Sequence, residues 1–529
     1  MLHYDAIIIG AGHNGLVAAA YLAKARKNVL VLEQRPSAGG AAATEETYAG
    51  FKYPSCADVC RTFYSRIVAD LDLEQHGLKM LSLDPGVSVP LPGGAWLPLW
   101  RDEAKAKREI ERLSKSDATQ YASFGALLRK LSGFLQALLL KPPPELKDGS
   151  LSGLMPLLEL CGKYWGLGKS ARRELFRVLP MSVFDFLHEW FQNDALKAAI
   201  GGSALVGNFL APRSQGTALL LLYHHLFSGP GPFQFWTVPQ GGMGRLSSAL
   251  AQAAERLGAK IRTEAKVTQV LVKNENATGV VLESGEECAA SAVVSAIGVK
   301  PTFLNLIDSM HLEPDFLLQV RNIRCAGVCA KVNAALSELP RWKSGQDAAP
   351  IGSGIVQIGS SLDDIERAFD DAKYGDYSTK PFLQVLIPSV LDPTLAPAGK
   401  HVASILVQYT PYRLKNGDWK EKRDELGRLV IDAVSAYAPN FKDSILHSQV
   451  LTPLDLEEIY GLPEGHYHHA DMALDQLFFM RPVPGWARYR TPLQRLYLCG
   501  AGTHPGGGVT GIPGYNAAQE IIADRGGKK

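Results

Sequence analysis

The apolar residues of this chain gather in short runs set directly against glycine. Asp5 to Ile9 reads as a buried strand that delivers the chain to Gly10, Gly12 and Gly15, and NVLVLE reads as a second strand ending at Glu33. Between them, Leu16 to Lys27 is rich in alanine, as suits a helix lying close on a sheet, and Asn28 suits a left-handed cap after its last turn. Farther along, Ser247 to Leu257 repeats its apolar positions at helical spacing and is ended by Gly258. Lys266 to Lys273 and Gly279 to Leu282 alternate as strands, and Ala292 to Ala296 forms a buried one. The last segment again reads as strand, glycine-rich loop and helix: Leu496 to Cys499, the loop from Gly500, and a helix starting near Gly514.

The first three glycines have separate tasks. Gly10 makes the tight turn, Gly12 lets the backbone approach a pyrophosphate, and Gly15 lets helix and strand pack closely, while the helix N-terminus receives the phosphates. Glu33 stands eighteen residues past Gly15 at a strand end, where a carboxylate accepts hydrogen bonds from ribose hydroxyls and repels a 2′-phosphate, favouring FAD or NAD over NADP. The Gly39-Gly40 pair permits a further close approach of backbone to ligand. Both chain ends and one middle segment therefore build one nucleotide domain.

Composition narrows the partners. The 55 Lys and Arg against 53 Asp and Glu give a net charge of +2 without like-charge blocks, so nucleic acid is not expected. No run of eighteen apolar residues occurs and Met1 lies four residues before the first strand, so the expectation is a cytoplasmic protein without signal peptide, transit peptide or transmembrane helix. The seven cysteines include no CxxC pair and their number is odd, which disfavours a disulfide framework or a dithiol centre. His466, His468 and His469 stand in GHYHH without other ligands at zinc spacing, and no metal is expected.

Between the nucleotide segments the pattern changes. Residues 101–225 are largely helical, with leucine-rich stretches such as FGALLRKLSGFLQALLLK, and 326–410 holds strand-like runs such as FLQVLIP and HVASILVQY. The expected fold is α/β: a Rossmann-type dinucleotide-binding domain assembled from discontinuous segments, beside a mixed-sheet plus helical substrate domain. The boundaries fall at 1–70, 235–300 and 490–529 for the first and 71–234 and 301–489 for the second.

GAGHNG with Glu33, GGAAATEE at Gly39 to Glu46 and GAGTHPGGG at Gly500 to Gly508 resemble the FAD-dependent phytoene desaturase-like flavoproteins, within the wider amine oxidase and glutathione reductase superfamily. Together with MALDQLFFMRPVPGWARYRTPL they look like a subgroup of that family named for a pyridine nucleotide-disulfide oxidoreductase domain. The resemblance implies noncovalent FAD, with Gly10, Gly12, His13, Asn14 and Gly15 around the pyrophosphate and Glu33 at the adenosine ribose. It implies that Gln34 and Arg35 flank the outer nucleotide half, that Gly39, Gly40 and Ala41 form the second glycine approach, and that the backbone of Val267 meets adenine. Gly500, Gly502 and Thr503 fall to the ribityl chain and phosphates, and Val509, Thr510 and Gly511 to the flavin ring. Two positions depart from relatives: Ala41 stands where amine oxidases usually carry arginine, and Thr510 where carotenoid desaturases often carry proline.

The flavin supplies the hard step of such an enzyme, so a catalytic dyad need not appear. His504 is the candidate side chain at the reacting face, a loop-anchoring role being its alternative, and His13 carries the same ambiguity. Arg481 and Asp475 are candidates for an ion pair at the domain junction. The expected activity is dehydrogenation or desaturation of a hydrophobic small molecule, isoprenoid or lipid-like, with a peripheral membrane contact left open. The alternatives are a flavin-dependent polyene isomerase or saturase, and a flavoprotein with an interaction role. With no redox cysteine pair and no second strand-bound GxGxxG, NAD(P)H is not expected as a bound reductant, and electrons leave by a route such as dioxygen or a quinone. Oligomeric state is not readable.

Overall fold

Short apolar runs with no polar alternation are strands covered on both faces, and the computed structural model, which describes residues 3–61, 63–144, 151–226, 236–343 and 351–526, places them at the centre of a parallel sheet. Its five strands stand in the order Lys260–Arg262, Val29–Leu32, Ala6–Ile9, Val293–Ser295 and Leu496–Leu498, every pair parallel. Three distant stretches of chain thus share one sheet. A four-stranded sheet lies beside it, in the order His3–Tyr4, Glu287–Ala290, Asn276–Leu282 and Val267–Lys273. The helix His13–Lys24 packs against Met243–Arg256 and Ile512–Gly526, so the first, middle and last segments also meet on the helical side.

The first helix is shorter than its alanine pattern predicts. It ends at Lys24, and the left-handed residue is Arg26, φ 61°, rather than Asn28. The amide of Lys27 reaches the Leu22 carbonyl at 3.1 Å and that of Arg26 the Ala23 carbonyl at 2.8 Å, a Schellman ending. Asn28 instead donates its main-chain N–H to Asp5 Oδ2 at 2.8 Å, fixing the entry to the next strand.

The second large element is a seven-stranded sheet, in the order Ile445–Leu451, Cys329–Leu336, His401–Gln408, Phe382–Leu386, Ile355–Ile358, Val87–Pro90 and Trp96–Leu99. It is antiparallel except where Ile355–Ile358 meets Val87–Pro90. One face is apolar and buries Val332, Val385, Ile405 and Val407 with Trp419, Leu426 and Val430 of the helix Trp419–Ser435. The other face carries Lys331, Asn333, Gln357, Gln384, Ser404 and Gln408, all buried. Helices including Lys115–Leu139, Asp194–Leu205 and Thr217–His224 cover it, and Phe124, Leu128, Leu131 and Leu135 of the leucine-rich stretch join that core.

Polar atoms so buried need partners. Gln357 Nε2 donates to the Ala198 carbonyl at 2.9 Å, and Gln408 Nε2 to the carbonyls of Leu205 and Asn208 at 3.2 and 2.9 Å. Lys331 Nζ, with its side chain wholly buried, pairs with Asp58 at 2.8 Å and donates to Ser404 Oγ at 2.6 Å. These side chains stitch the sheet to the helices above it and to the segment that follows Pro54.

Candidate functional site

The glycine turn is built by steric necessity. Gly10 has φ +96°, and a Cβ at Gly15 would lie 2.2 Å from the Gly10 carbonyl oxygen, so a side chain there cannot coexist with the turn. Glu33 closes it from the next strand: Oε2 accepts from the Ala11 amide at 2.7 Å and Oε1 from the Arg35 amide at 3.0 Å. The carboxylate is held rigidly and keeps lone pairs for a ligand.

A cavity of about 410 Å³ opens over this turn. Gly10, Gly12, His13, Asn14, Glu33 and Gln34 line it together with Gly40, Ala41 and Val267, so the middle segment reaches the same space as the first. A Cβ at Gly12 would meet nothing within 4 Å, which leaves the backbone there open to a ligand. His13 Nε2 and Asn14 Oδ1 are buried without partners among the described residues. A cavity with a bare glycine turn at a helix N-terminus, unsatisfied polar atoms beside it and an oriented carboxylate fits a dinucleotide.

Other predicted residues stand behind the wall rather than in it. Gly15 packs on Gly10, and Gly39 bridges to Gly12 and abuts Ser247. The Arg35 guanidinium pairs with Glu45 and lies 4.6 Å from the centre of the Tyr460 ring, so it braces the wall from outside.

The C-terminal loop meets the cavity at a single residue. Of Gly500 to Gly511, only Ala501 lines the cavity; Gly500, Gly502, Thr503, Val509, Thr510 and Gly511 do not. Thr503 Oγ1 donates back to the Gly500 carbonyl at 2.8 Å, the Thr510 carbonyl accepts from the Tyr64 amide, and the Val509 carbonyl accepts from Cys60 Sγ. Gly511, φ +72°, leaves space that Ile67 and Phe63 fill. The loop is thus tied to the segment around residues 60–67, a contact that glycine spacing does not reveal.

His504 does not reach the cavity either. It is 1% exposed, and both of its ring nitrogens are buried without a hydrogen-bond partner among the described residues. Burial pushes its imidazole down to about 4, leaving it neutral, as suits a packed loop residue. Arg481 is also not paired with Asp475. Fully buried, it donates to the carbonyls of His468 at 2.7 Å, Ala501 at 2.8 Å and Asp471 at 3.0 Å, while Asp475 pairs with Arg324 at 2.7 Å. Arg481 therefore fixes the main chain on which Ala501 stands.

Residues that sequence reasoning missed complete the wall. Tyr460, Gly461, Leu462, Tyr467 and His469 come from one loop, and Ile297, Pro301 and Leu306 from the start of the helix Val299–Asn305 and beyond it. His469 holds a left-handed backbone, φ 59°, rare outside glycine and asparagine, and no pattern in GHYHH announces it. No cysteine lines the cavity among the described residues; Cys56 and Cys60 are buried thiols whose pKa burial raises to about 12. Among the described residues no group of His, Cys, Asp and Glu is arranged to hold a metal, and no helix is long and apolar enough to cross a membrane.

The sequence matches the family described as flavin containing amine oxidoreductase over residues 15–522. It is 39% identical to the pyridine nucleotide-disulfide oxidoreductase domain-containing protein 2 of Rattus norvegicus, over 98% of this chain and 94% of that protein. It is 25% identical to one of the subunits of the limonene dehydrogenase of Castellaniella defragrans, over 99% and 95% of the two chains. The crystal structure of an oxidoreductase from Methanosarcina mazei superposes with a TM-score of 0.62 at 17% identity, covering 99% of this chain and 100% of that one. The cofactor is accordingly FAD, and the chain belongs to the flavin-containing amine oxidoreductase family.

Proposed function

We propose that this flavin oxidoreductase holds FAD in the cavity over the glycine turn and removes hydrogen from a carbon-carbon bond of a hydrophobic substrate, isoprenoid or lipid-like. The observation that carries the reading is the composition of the cavity wall: its carboxylate and ammonium side chains are Glu33 and Lys266, the residues expected at the adenosine half, and most of the remaining lining is apolar or glycine. Beyond Glu33 a cationic amine would find no carboxylate in this wall among the described residues, whereas a hydrocarbon would lose no hydration. The full-length similarity to a limonene dehydrogenase chain supports the same substrate class.

When bound, the flavin accepts the hydride or electrons. The chain's own residues bind and exclude water: the glycine turn and Glu33 hold the nucleotide, Tyr460 and Tyr467 close one wall, and Arg481 fixes the backbone at Ala501. Residues 1–70, 235–300 and 490–529 act as the cofactor domain in this reading, and the seven-stranded sheet with its helices as the substrate domain. That sheet is mostly antiparallel, unlike a second dinucleotide fold, which supports an electron acceptor other than NAD(P)⁺.

Anaerobic mixing of the FAD-loaded protein with limonene-type hydrocarbons and longer isoprenoids tests the proposal, read as bleaching of the flavin. Product change without bleaching would favour isomerisation. Rapid bleaching by NADH, at ordinary turnover rates of ~10 per second, would overturn the reading in favour of a reductase.

The route of such a substrate suggests a lipid surface. Leu158, Trp165 and Phe176 are 63%, 66% and 65% exposed on the helix pair Leu151–Gly166 and Gly168–Val178, and the Arg172 guanidinium lies over the Trp165 ring at 4.2 Å. Apolar side chains beside arginine suit peripheral attachment to anionic lipid. Flotation with anionic vesicles should recover the wild type and lose Trp165→Ser; equal flotation of the two would remove this contact.

A further inference from the structure

The cluster of Asp58, Arg61 and Lys331 beside the inner face of the seven-stranded sheet is not neutral. Arg61 lies between that face and the helices above it: Nη1 donates to the Ser203 carbonyl at 3.3 Å, Nη2 donates to Gln384 Oε1 at 3.2 Å, and the guanidinium carbon stands 3.8 Å from the centre of the Trp236 ring. Both hydrogen-bond acceptors are neutral, and Arg61 makes no ion pair among the described residues. The carboxylate that acts on it, Asp58, is bonded to Lys331 at 2.8 Å. Two cations and one carboxylate leave one positive charge over. His224 and His468, which feel the Arg61 cation, are held neutral by burial and add nothing to the count.

A structural arginine in this molecule looks different. Arg481, fully buried, fills its fork with five bonds to main-chain carbonyls, whereas Arg61 makes two, both long, out of five N–H groups. Ser203, Gln384 and Trp236, which hold Arg61, are buried, yet Arg61 itself keeps accessible surface. Burial still pushes its guanidinium down to about 10, so that surface faces the interior of the molecule rather than open solvent. A second donor stands at the same place: Gln384 Nε2, on the amide whose oxygen Arg61 already uses, has no acceptor among the described residues. Cys60 and Tyr64, on either side of Arg61, bond the main chain of Val509 and Thr510, the residues expected at the flavin ring. The surplus charge therefore stands where sheet, helices and C-terminal loop meet.

We propose that Arg61 binds the carboxylate of an amphipathic substrate, an isoprenoid or fatty acid, and that this contact selects acids over neutral hydrocarbons. The proposal rests on the hydrophobic-substrate reading given above and narrows it. One surplus positive charge balances the single negative charge of a carboxylate, while a diphosphate ester would bring more than it can balance and leave buried charge unpaired. The planar fork suits two carboxylate oxygens. The helices Asp194–Leu205 and Thr217–His224 overhead are apolar, as a hydrocarbon tail requires.

Calorimetric titration of the FAD-loaded protein with oleate and with geranate, each against its methyl ester, tests this assignment. The acids should bind about ten- to a hundredfold more tightly than the esters, the worth of one charge-assisted pair. Arg61→Met should erase the difference by weakening the acids while ester binding holds, and Arg61→Lys should keep part of it. An arginine with a merely structural role would move acid and ester together. Equal binding of acid and ester by the wild type overturns the proposal, as does no binding of either acid, and neither result depends on whether a variant folds. A preference that survives in a folded Arg61→Met overturns it too. Flavin bleaching separates the two readings: acid preference without bleaching by any probe leaves the carboxylate site standing and removes the dehydrogenation, whereas bleaching by hydrocarbons without acid preference does the reverse.

Discussion

Around the first glycine turn the buried polar groups belong largely to the main chain: the amides of Ala11 and Arg35 are satisfied by one carboxylate, Glu33. On the inner face of the seven-stranded sheet they belong to side chains, and Lys331, Gln357 and Gln408 find partners in Asp58, Ala198 and Leu205, far away in sequence. The first arrangement demands a particular residue at a particular spacing, because only glycine lets two backbones approach so closely. The second demands only that each polar atom meet a complement, so several residue combinations satisfy it. The turn is therefore intolerant and the sheet face exchangeable, provided partners change together.

Acid attacks the seam where the two regions meet, and there the largest effect is expected. His13, His468, His469 and His504 are pushed by burial to between about 3 and about 4, and His224 well below the ordinary histidine range. In the unfolded chain they titrate near 6.5, so below that pH the unfolded state binds more protons and stability falls with pH, by up to about 1.4 kcal/mol per histidine for each pH unit. Well above pH 6.5 these histidines are neutral in both states and add no slope. Urea midpoints of the apoprotein at pH 7.5, 6.5 and 5.5 should show a loss about three times larger in the second interval than in the first. Two separate acid transitions would mean that the regions do not share the seam.

Gly15→Val strikes the intolerant side. A side chain at 2.2 Å from the Gly10 carbonyl must displace the turn, and a cost of about 4 kcal/mol or more is expected, with no FAD retained on purification. Lys331→Met strikes the exchangeable side and leaves the Asp58 carboxylate without its cation, costing about 3–5 kcal/mol. Adding Asp58→Leu should recover most of that loss in thermal melts. A double variant no better than the single one would show that the sheet face is as intolerant as the turn.

Glu33→Ala is the mildest test. Losing hydrogen bonds to a charged acceptor should weaken FAD binding by about 1–3 kcal/mol, read as a higher Kd in fluorescence titration while the fold survives. Unchanged affinity would separate the Glu33 carboxylate from the ribose.

The same contrast explains what the sequence made legible. Gly10, Gly12, Gly15 and Glu33 were readable because backbone geometry imposes residue type at fixed spacing, and the strands around them were readable as uninterrupted apolar runs. Their helix ran only to Lys24, because a Schellman ending at Arg26 has no residue signature when the left-handed position is not glycine. Tyr460, Tyr467 and His469 were invisible as wall residues because tertiary packing, not local pattern, brings their loop over the turn. The strands Val87–Pro90 and Ile445–Leu451 join a sheet whose other members lie far from them in the chain, and pairing at such separations leaves no local trace. Gly511 shows a second use of glycine that spacing does not announce, because its missing side chain leaves room for Ile67 and Phe63.

The strand Val293–Ser295 sits between Ala6–Ile9 and Leu496–Leu498, so the cofactor sheet cannot be completed until residue 498 has been made. On a ribosome adding about 5–20 residues per second, the first strand waits roughly 25 to 100 seconds for the last. From the time Val293–Ser295 is made until Leu496–Leu498 arrives, one edge of that strand is unpaired, and throughout the wait the face of His13–Lys24 that Ile512–Gly526 will cover is bare. The same late segment supplies both the fifth strand and Ala501 of the cavity wall. Translation stopped before Leu496 would therefore leave a protein with its first glycine turn intact and its fifth strand missing.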